Sequence, residues 1–136
     1  MIKTKFSVIL HIITLLALYK DEWLNSTLIA SSLNINPVLV RKELAILKSS
    51  GLIESKEGKN GGVKLLKDAK KIQLSEIFAI AKGSDHVLSS LKNVPNPNCR
   101  VGKQINKNLG IVLDEIDGAI IEKLSKQSLE EFKNQF

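Results

Sequence analysis

Residues 36–51, NPVLVRKELAILKSSG, can fold as little other than a helix with two unlike faces. Asn36 is an N-cap residue type, and Pro37 suits the first helical turn, where an amide N–H has no intrahelical acceptor. Gly51 is placed to stop the helix. Val40, Leu44 and Leu47 recur at spacings of four and three and form one apolar stripe. At about 100° per residue, Val38, Arg41, Lys42, Ala45 and Ser49 fall on the other side. That outer face carries two cations near its N-terminal end, then small residues, and no acid. A small residue such as Ala45 lets a helix approach a bulky surface closely. Taken alone, a surface helix with a solvated basic edge explains the pattern equally well. The flanking segments decide between the two.

Upstream, Asn25 or Ser26 can cap a short helix ending at Leu33, with Leu28, Ile29, Ala30 and Leu33 facing inward. Asn34-Ile35-Asn36 is then a tight turn. Helix, turn and helix with a polar outer face on the second is the helix-turn-helix layout, in which the second helix enters the DNA major groove. Asn36, Val38, Arg41 and Lys42 are the residues that would meet base edges, with Thr27 in the first turn of the preceding helix beside them. Downstream, 52–56 and 63–66 are strand-like, and EGKNGG between them carries Asn-Gly and Gly-Gly hairpin signals. A ribbon directly after a helix-turn-helix is the wing of a winged helix. Lys59 and Asn60 fall at its tip, beside Gly61 and Gly62, whose backbone amides could approach phosphate. A plain solvated hairpin accounts for the ribbon alone; the succession of the two signals favours the winged helix.

Charge points the same way. Residues 1–72 hold twelve Lys/Arg against six Asp/Glu, whereas residues 73–136 hold eight of each, so the whole +6 excess sits in the first half. A polyanionic partner for that half, double-stranded DNA, is implied. At 136 residues the chain supports one core. One cysteine excludes an intramolecular disulfide and a multi-cysteine metal site, and fits the reducing cytoplasm. The apolar run near the start imitates a signal peptide, but Lys20-Asp21-Glu22 follows with no cleavage site. The run is also too short to span a bilayer, so no membrane role is expected.

The apolar run reads as a helix over 4–19, capped at Thr4. It is apolar nearly all round and therefore buried between two layers, with His11 as a satisfied core or edge histidine. Leu74–Lys82 reads as a short helix with Ile77, Phe78, Ile80 and Ala81 inward and Gly83 after it. Residues 84–98 form an irregular connection with His86 on the surface. A long helix is expected from Cys99 to Lys126. Its stripe of Ile105, Leu109, Val112, Ile116, Ile120 and Leu124 exceeds what a small head can cover, so a partner helix is implied. Ser128–Phe136 can add a short helix that packs back. The reading is mainly α with a small β-hairpin wing: a winged helix-turn-helix head (1–83), a connecting segment (84–98), and a dimerisation helix with its tail (99–136), one structural domain overall.

The chain as a whole resembles the Rrf2 (Rrf-two) family of bacterial winged helix-turn-helix transcription regulators. The resemblance runs through Ile29-Ala30, Leu33, Ile35, Val40, Leu44, Leu47 and Gly51-Leu52-Ile53. It continues through Gly58, Gly61-Gly62, Leu65, Ile72, Leu74, Ile77 and Gly83. It departs at Lys82, where the family usually has Glu. The resemblance implies a homodimer held by the long helix on a palindromic operator, and cytoplasmic regulation, usually repression. Many members hold an iron–sulfur cluster through three cysteines near the long helix. This chain has only Cys99 there, so it resembles the cluster-free members and no cofactor is expected. Cys99, placed at the expected helix start beside Arg100 and Lys103, is a candidate thiolate sensor, with an unreactive structural thiol as the alternative. An unidentified small-molecule effector is the other signalling route. No phosphate loop or nucleophile–His–acid set supports an enzyme. A winged-helix protein–protein adaptor is the competing non-enzyme reading, and the basic outer face and Lys/Asn-bearing wing argue against it.

Overall fold

The computed structural model describes residues 2–136. Helix α1 (Ile2–Leu18) is the centre of the molecule. Ile9, Ile12, Ile13 and Leu16 share one face at 0–1% exposure and pack under the other elements. Ala17 and Thr14, further round the helix, are also buried, but Leu10 and Leu15 are half-buried and Leu18 is exposed, so the second layer expected over α1 is incomplete. Thr4 lies inside the helix rather than capping it, because α1 begins at Ile2.

Helix α2 (Ser26–Leu33) is capped by Asn25, whose side chain accepts the Leu28 amide at 2.8 Å. It ends on Asn34 in the left-handed conformation (φ 56°). Ile29 and Ala30 are buried, but Leu28 is 55% exposed. The inward arc centres on Ile29, Ala30 and Leu33, and Leu28 lies about 150° around the helix from that centre. Helix α3 (Pro37–Ser49) has Asn36 as its cap, accepting the Val38 amide at 2.9 Å, and buries Val40, Leu44 and Leu47 as the stripe predicts. Gly51 turns the chain at φ 78°.

Strands β1 (Ile53–Lys56) and β2 (Gly62–Leu65) pair antiparallel, with Ile53 opposite Leu65 and Lys56 opposite Gly62. The hairpin is tied to the head by Leu24, which exchanges both backbone hydrogen bonds with Val63 at 3.1 and 2.8 Å. This third-strand contact explains Gly62: a Cβ there would lie 2.5 Å from the Leu24 carbonyl oxygen. Trp23 sits against the hairpin, with the Lys64 and Lys56 ammonium groups 4.9 and 5.7 Å from its ring centroid.

After a 3-10 turn at Ala69–Lys71, helix α4 (Leu74–Lys82) packs on α1 and presents its far side to the long helix. That helix, α5, spans Ile105–Leu124 and starts one and a half turns later than the pattern suggested. Residues 97–104 form successive turns instead. Gly102 packs against the Asn96 carbonyl with no room for a Cβ, and Asn106 Nδ2 donates to the Asn93 carbonyl at 2.8 Å, so the chain winds over itself before the helix begins. The face of α5 is also rotated. Its fully buried residues are Leu113 and Asp117, about 70° around from the centre of the expected stripe. Leu124 packs on the core, Ile116 and Ile120 face Phe6 and Phe78, and Ile105 and Val112 remain exposed. One wide apolar band thus serves the head along one edge and leaves the other uncovered. Helix α6 (Leu129–Lys133), capped by Ser128, returns to the head. Leu129 is fully buried and its amide donates to the Ile72 carbonyl at 2.7 Å.

Candidate nucleic-acid interface

A groove runs between the N-terminal turn of α2, the outer face of α3 and the hairpin. Arg41, Ala45 and Lys48 form its α3 wall, with Lys56 and Lys59 on the hairpin side. Glu57 is the one acid lining it. Arg41 is braced: its Nε donates to Ser26 Oγ at 3.2 Å, which fixes the guanidinium across the α2–α3 junction and leaves its terminal nitrogens for a ligand. Asn36 uses its side-chain oxygen as the helix cap, and the amide nitrogen remains. Val38 and Leu39, at 62% and 53% exposure, stand with Lys42 at the N-terminal end of α3. They give that end an apolar surface suited to a thymine methyl. Thr27 is exposed on the first turn of α2.

Lys59 and Asn60 are exposed at the hairpin tip. Gly61 and Gly62 occupy the positions expected, but with different work. The Gly61 amide donates to the Gly58 carbonyl at 3.1 Å, and Gly62 pairs with Lys56 in the ladder. Their glycine character serves the packing of the hairpin on itself and on Leu24. Three groove-side features escaped the sequence reading: Lys48, Lys56 and Ser26. Lys48 was legible, since it lies in the i, i+4, i+7 row with Arg41 and Ala45. Lys56 and Ser26 were not, because their placement depends on how the hairpin and α2 pack beside α3.

A second polar centre lies away from this groove. Asp117, 5% exposed in mid-α5, accepts from His86 Nδ1 at 2.7 Å and from the Val87 amide at 3.1 Å, with Lys82 Nζ at 3.7 Å. Burial by itself would raise the Asp117 carboxyl. The His86 bond, the Val87 amide and the Lys82 charge outweigh it and hold the group below its ordinary value. His86 is therefore a tethered residue and not the free surface histidine expected. Its tie anchors the connecting segment to the long helix.

Cys99 is exposed in the turns before α5. Its thiol is lowered by the backbone amides of Gly102 and Val101, which point at the sulfur. The cause differs from the one expected: turn amides act, and α5 begins too late for its N-terminus to reach the thiol.

The family profile described as Rrf2, "Iron-dependent Transcriptional regulator", matches residues 2–135. The chain belongs to the Rrf2 family. It is 33% identical over 134 residues to the "Putative HTH-type transcriptional regulator YwnA" of Bacillus subtilis (strain 168), covering 98% of each chain. A solved "putative DNA binding protein" is 31% identical, with a TM-score of 0.72, over 94% of this chain and 97% of that one. CymR (YrzC), the global cysteine regulator of B. subtilis, shares the fold at a TM-score of 0.71 and 22% identity, over 98% and 95% of the two chains. These Rrf2 relatives are transcriptional regulators and not enzymes. Among the described residues no helix is long and apolar enough to cross a membrane.

The donors present do not fit the iron of the family description. One exposed thiol, Cys99, does not fit a cysteine-held cluster. His86, Asp114 and Asp117 approach one another within 4.8 Å. The Lys82 ammonium and the Val87 amide already occupy Asp117, which does not suit that set to a cation.

Proposed function

We propose that this Rrf2-family regulator binds a palindromic operator as a homodimer in the cytoplasm and represses transcription from it. The observation that carries the reading is the braced Arg41 in a groove whose walls also bear Lys48, Lys56 and Lys59. With α3 in the major groove, Arg41 reads a base edge while Val38 and Lys42 sit at the entry. Thr27 and the Lys59-Asn60 tip flank the backbone, and Lys48 and Lys56 neutralise phosphates. The uncovered edge of α5, with Ile105 and Val112 exposed beside half-buried Leu109 and Ile116, supports a second copy as the partner. Cys99 supplies a redox input, since amide-stabilised thiolate is the form that oxidants attack.

A salt series on duplex DNA, read by fluorescence anisotropy, tests the central statement. Each phosphate contact adds about 0.9 to the magnitude of the log–log slope, so three phosphate-facing lysines per head give up to about −5 for a dimer. A protein–protein adaptor would show a slope near zero, and that result would end the DNA-binding reading.

A further inference from the structure

The uncovered face of α1 is not flat. Leu10, Thr14, Leu15 and Leu18 floor a hollow of about 470 Å³, walled by Ser32 at the end of α2 and by Phe132 and Phe136 from the α6 segment. We propose that this hollow is an effector site for a small, uncharged ring compound carrying one hydrogen-bonding group, and that its occupancy opposes DNA binding. The second clause rests on the DNA-binding reading above; the first does not.

Several observations define the ligand. The volume lies in the range of pockets that take single small molecules. Among the described residues no Asp, Glu, Lys or Arg side chain lines it, so an ionic ligand would lose its hydration without a countercharge from them. Neutrality of ligand matches neutrality of wall. Phe132 and Phe136 stand edge to face with centroids 5.4 Å apart, which leaves aromatic surface for a ring to stack against. The Ser7 and Thr14 hydroxyls are already committed to the Thr4 and Leu10 carbonyls at 2.9 and 2.6 Å. The polar pair left is His11 Nε2 and Ser32 Oγ, 2.9 Å apart. A ligand group can insert there as donor or acceptor, since the histidine tautomer and the hydroxyl rotor both adapt.

The same pair provides the coupling. His11 belongs to α1, the fixed centre of the core, and Ser32 to the last turn of α2. The first turn of α2 carries Ser26, which braces Arg41. A ligand that separates His11 from Ser32 tilts α2 against α1 and withdraws Ser26 from the guanidinium. DNA, which needs the braced arrangement, must then weaken the ligand by the same factor that the ligand weakens DNA. The hollow lies on the face of α1 opposite Ile9, Ile13 and Leu16, and away from the Phe6–Phe78–Ile116 side that adjoins α5. It therefore stays open in a dimer built on α5.

The experiment uses the full chain and the neutral amine N-phenyl-1-naphthylamine, two ring systems with one N–H, as the probe. Its fluorescence should rise saturably with one site per chain. Ser7→Trp, a change at an exposed rim residue that fills the hollow, should abolish the signal with unchanged circular dichroism. Ser32→Ala should weaken the dye about fivefold, one hydrogen bond's worth. Saturating duplex DNA should weaken it about fivefold or more. Dye binding that survives Ser7→Trp, or that is never saturable, overturns the site. Loss of dye together with a change in oligomeric state in Ser7→Trp also overturns it, and identifies the face as a contact between copies. Duplex that binds without altering dye affinity overturns the coupling. Saturable dye binding by a chain that ignores duplex supports the pocket and overturns only the DNA-binding reading.

Discussion

Replacing Asp117 with Ala removes the acceptor at the centre of the second polar cluster, and the cost can be worked from its partners. Two hydrogen bonds to a charged acceptor are lost, from His86 Nδ1 and the Val87 amide, each worth about 1.5–3 kcal/mol. The Lys82 ammonium, 17% exposed, loses its countercharge, and the His86 ring, 20% exposed, faces a void. Partial access to water offsets part of this, leaving about 3 kcal/mol, at the lower end for breaking a buried pair. With a urea dependence of about 1.5 kcal/mol per molar, the unfolding midpoint should fall by about 2 M. The effect must also depend on pH. Asp117 is held below its ordinary 3.8 in the folded state. A carboxylate depressed by folding stabilises above its unfolded value and loses that contribution as pH falls through the folded one. The gap between wild type and Asp117→Ala should therefore be full near neutrality and close below about pH 4. A midpoint within about 0.3 M of wild type at pH 7, or a gap that persists undiminished into acid, would refute the reasoning.

Four further outcomes follow from the same structure. Arg41→Ala should weaken operator binding by about 1–3 kcal/mol and relax discrimination at one base position, measured by anisotropy across single-base operator variants. Equal affinity in the folded variant would remove Arg41 from the interface. Gly62→Ala should destabilise the head by about 1–3 kcal/mol, because its Cβ meets the Leu24 backbone; a thermal melt matching wild type would count against that contact. Val112→Asp, on the exposed edge of α5, should give a folded monomer in equilibrium sedimentation, since a charge in an apolar interface is strongly disfavoured. An intact dimer would place the interface elsewhere. Cys99 should react with a disulfide reagent near neutral pH faster than free cysteine, and Cys99→Ser should bind operator normally and ignore oxidant. Operator binding that persists after full modification of Cys99 would make the thiol a bystander.

Local chemistry fixed most of the head. The cap at Asn36, the turn at Asn34–Asn36, the stripe Val40–Leu44–Leu47 and the glycine-rich hairpin are short-range preferences, decided within one or two turns of chain, and stand where the sequence places them; of the two cap candidates for α2, Asn25 takes the role, and Asn34 adopts the left-handed conformation. The regular helix α4 is in the same class. Contacts distant in sequence decided the rest. The late start of α5 depends on Gly102 meeting Asn96 and on Asn106 reaching back to Asn93, neither of which a helical period records. The rotation of α5 depends on Asp117, a polar residue that periodicity assigns to solvent and that packing buries because His86, Val87 and Lys82 satisfy it. The bracing of Arg41 by Ser26 and the entry of Lys56 into the groove arise only when α2, α3 and the hairpin dock together. The hollow beside α1 shows the limit most plainly. An all-round apolar helix implies a cover on both sides, but whether chain, partner or ligand supplies the second cover is set by the relative placement of α1, α2 and α6. Periodicity along one helix carries no information about that distance.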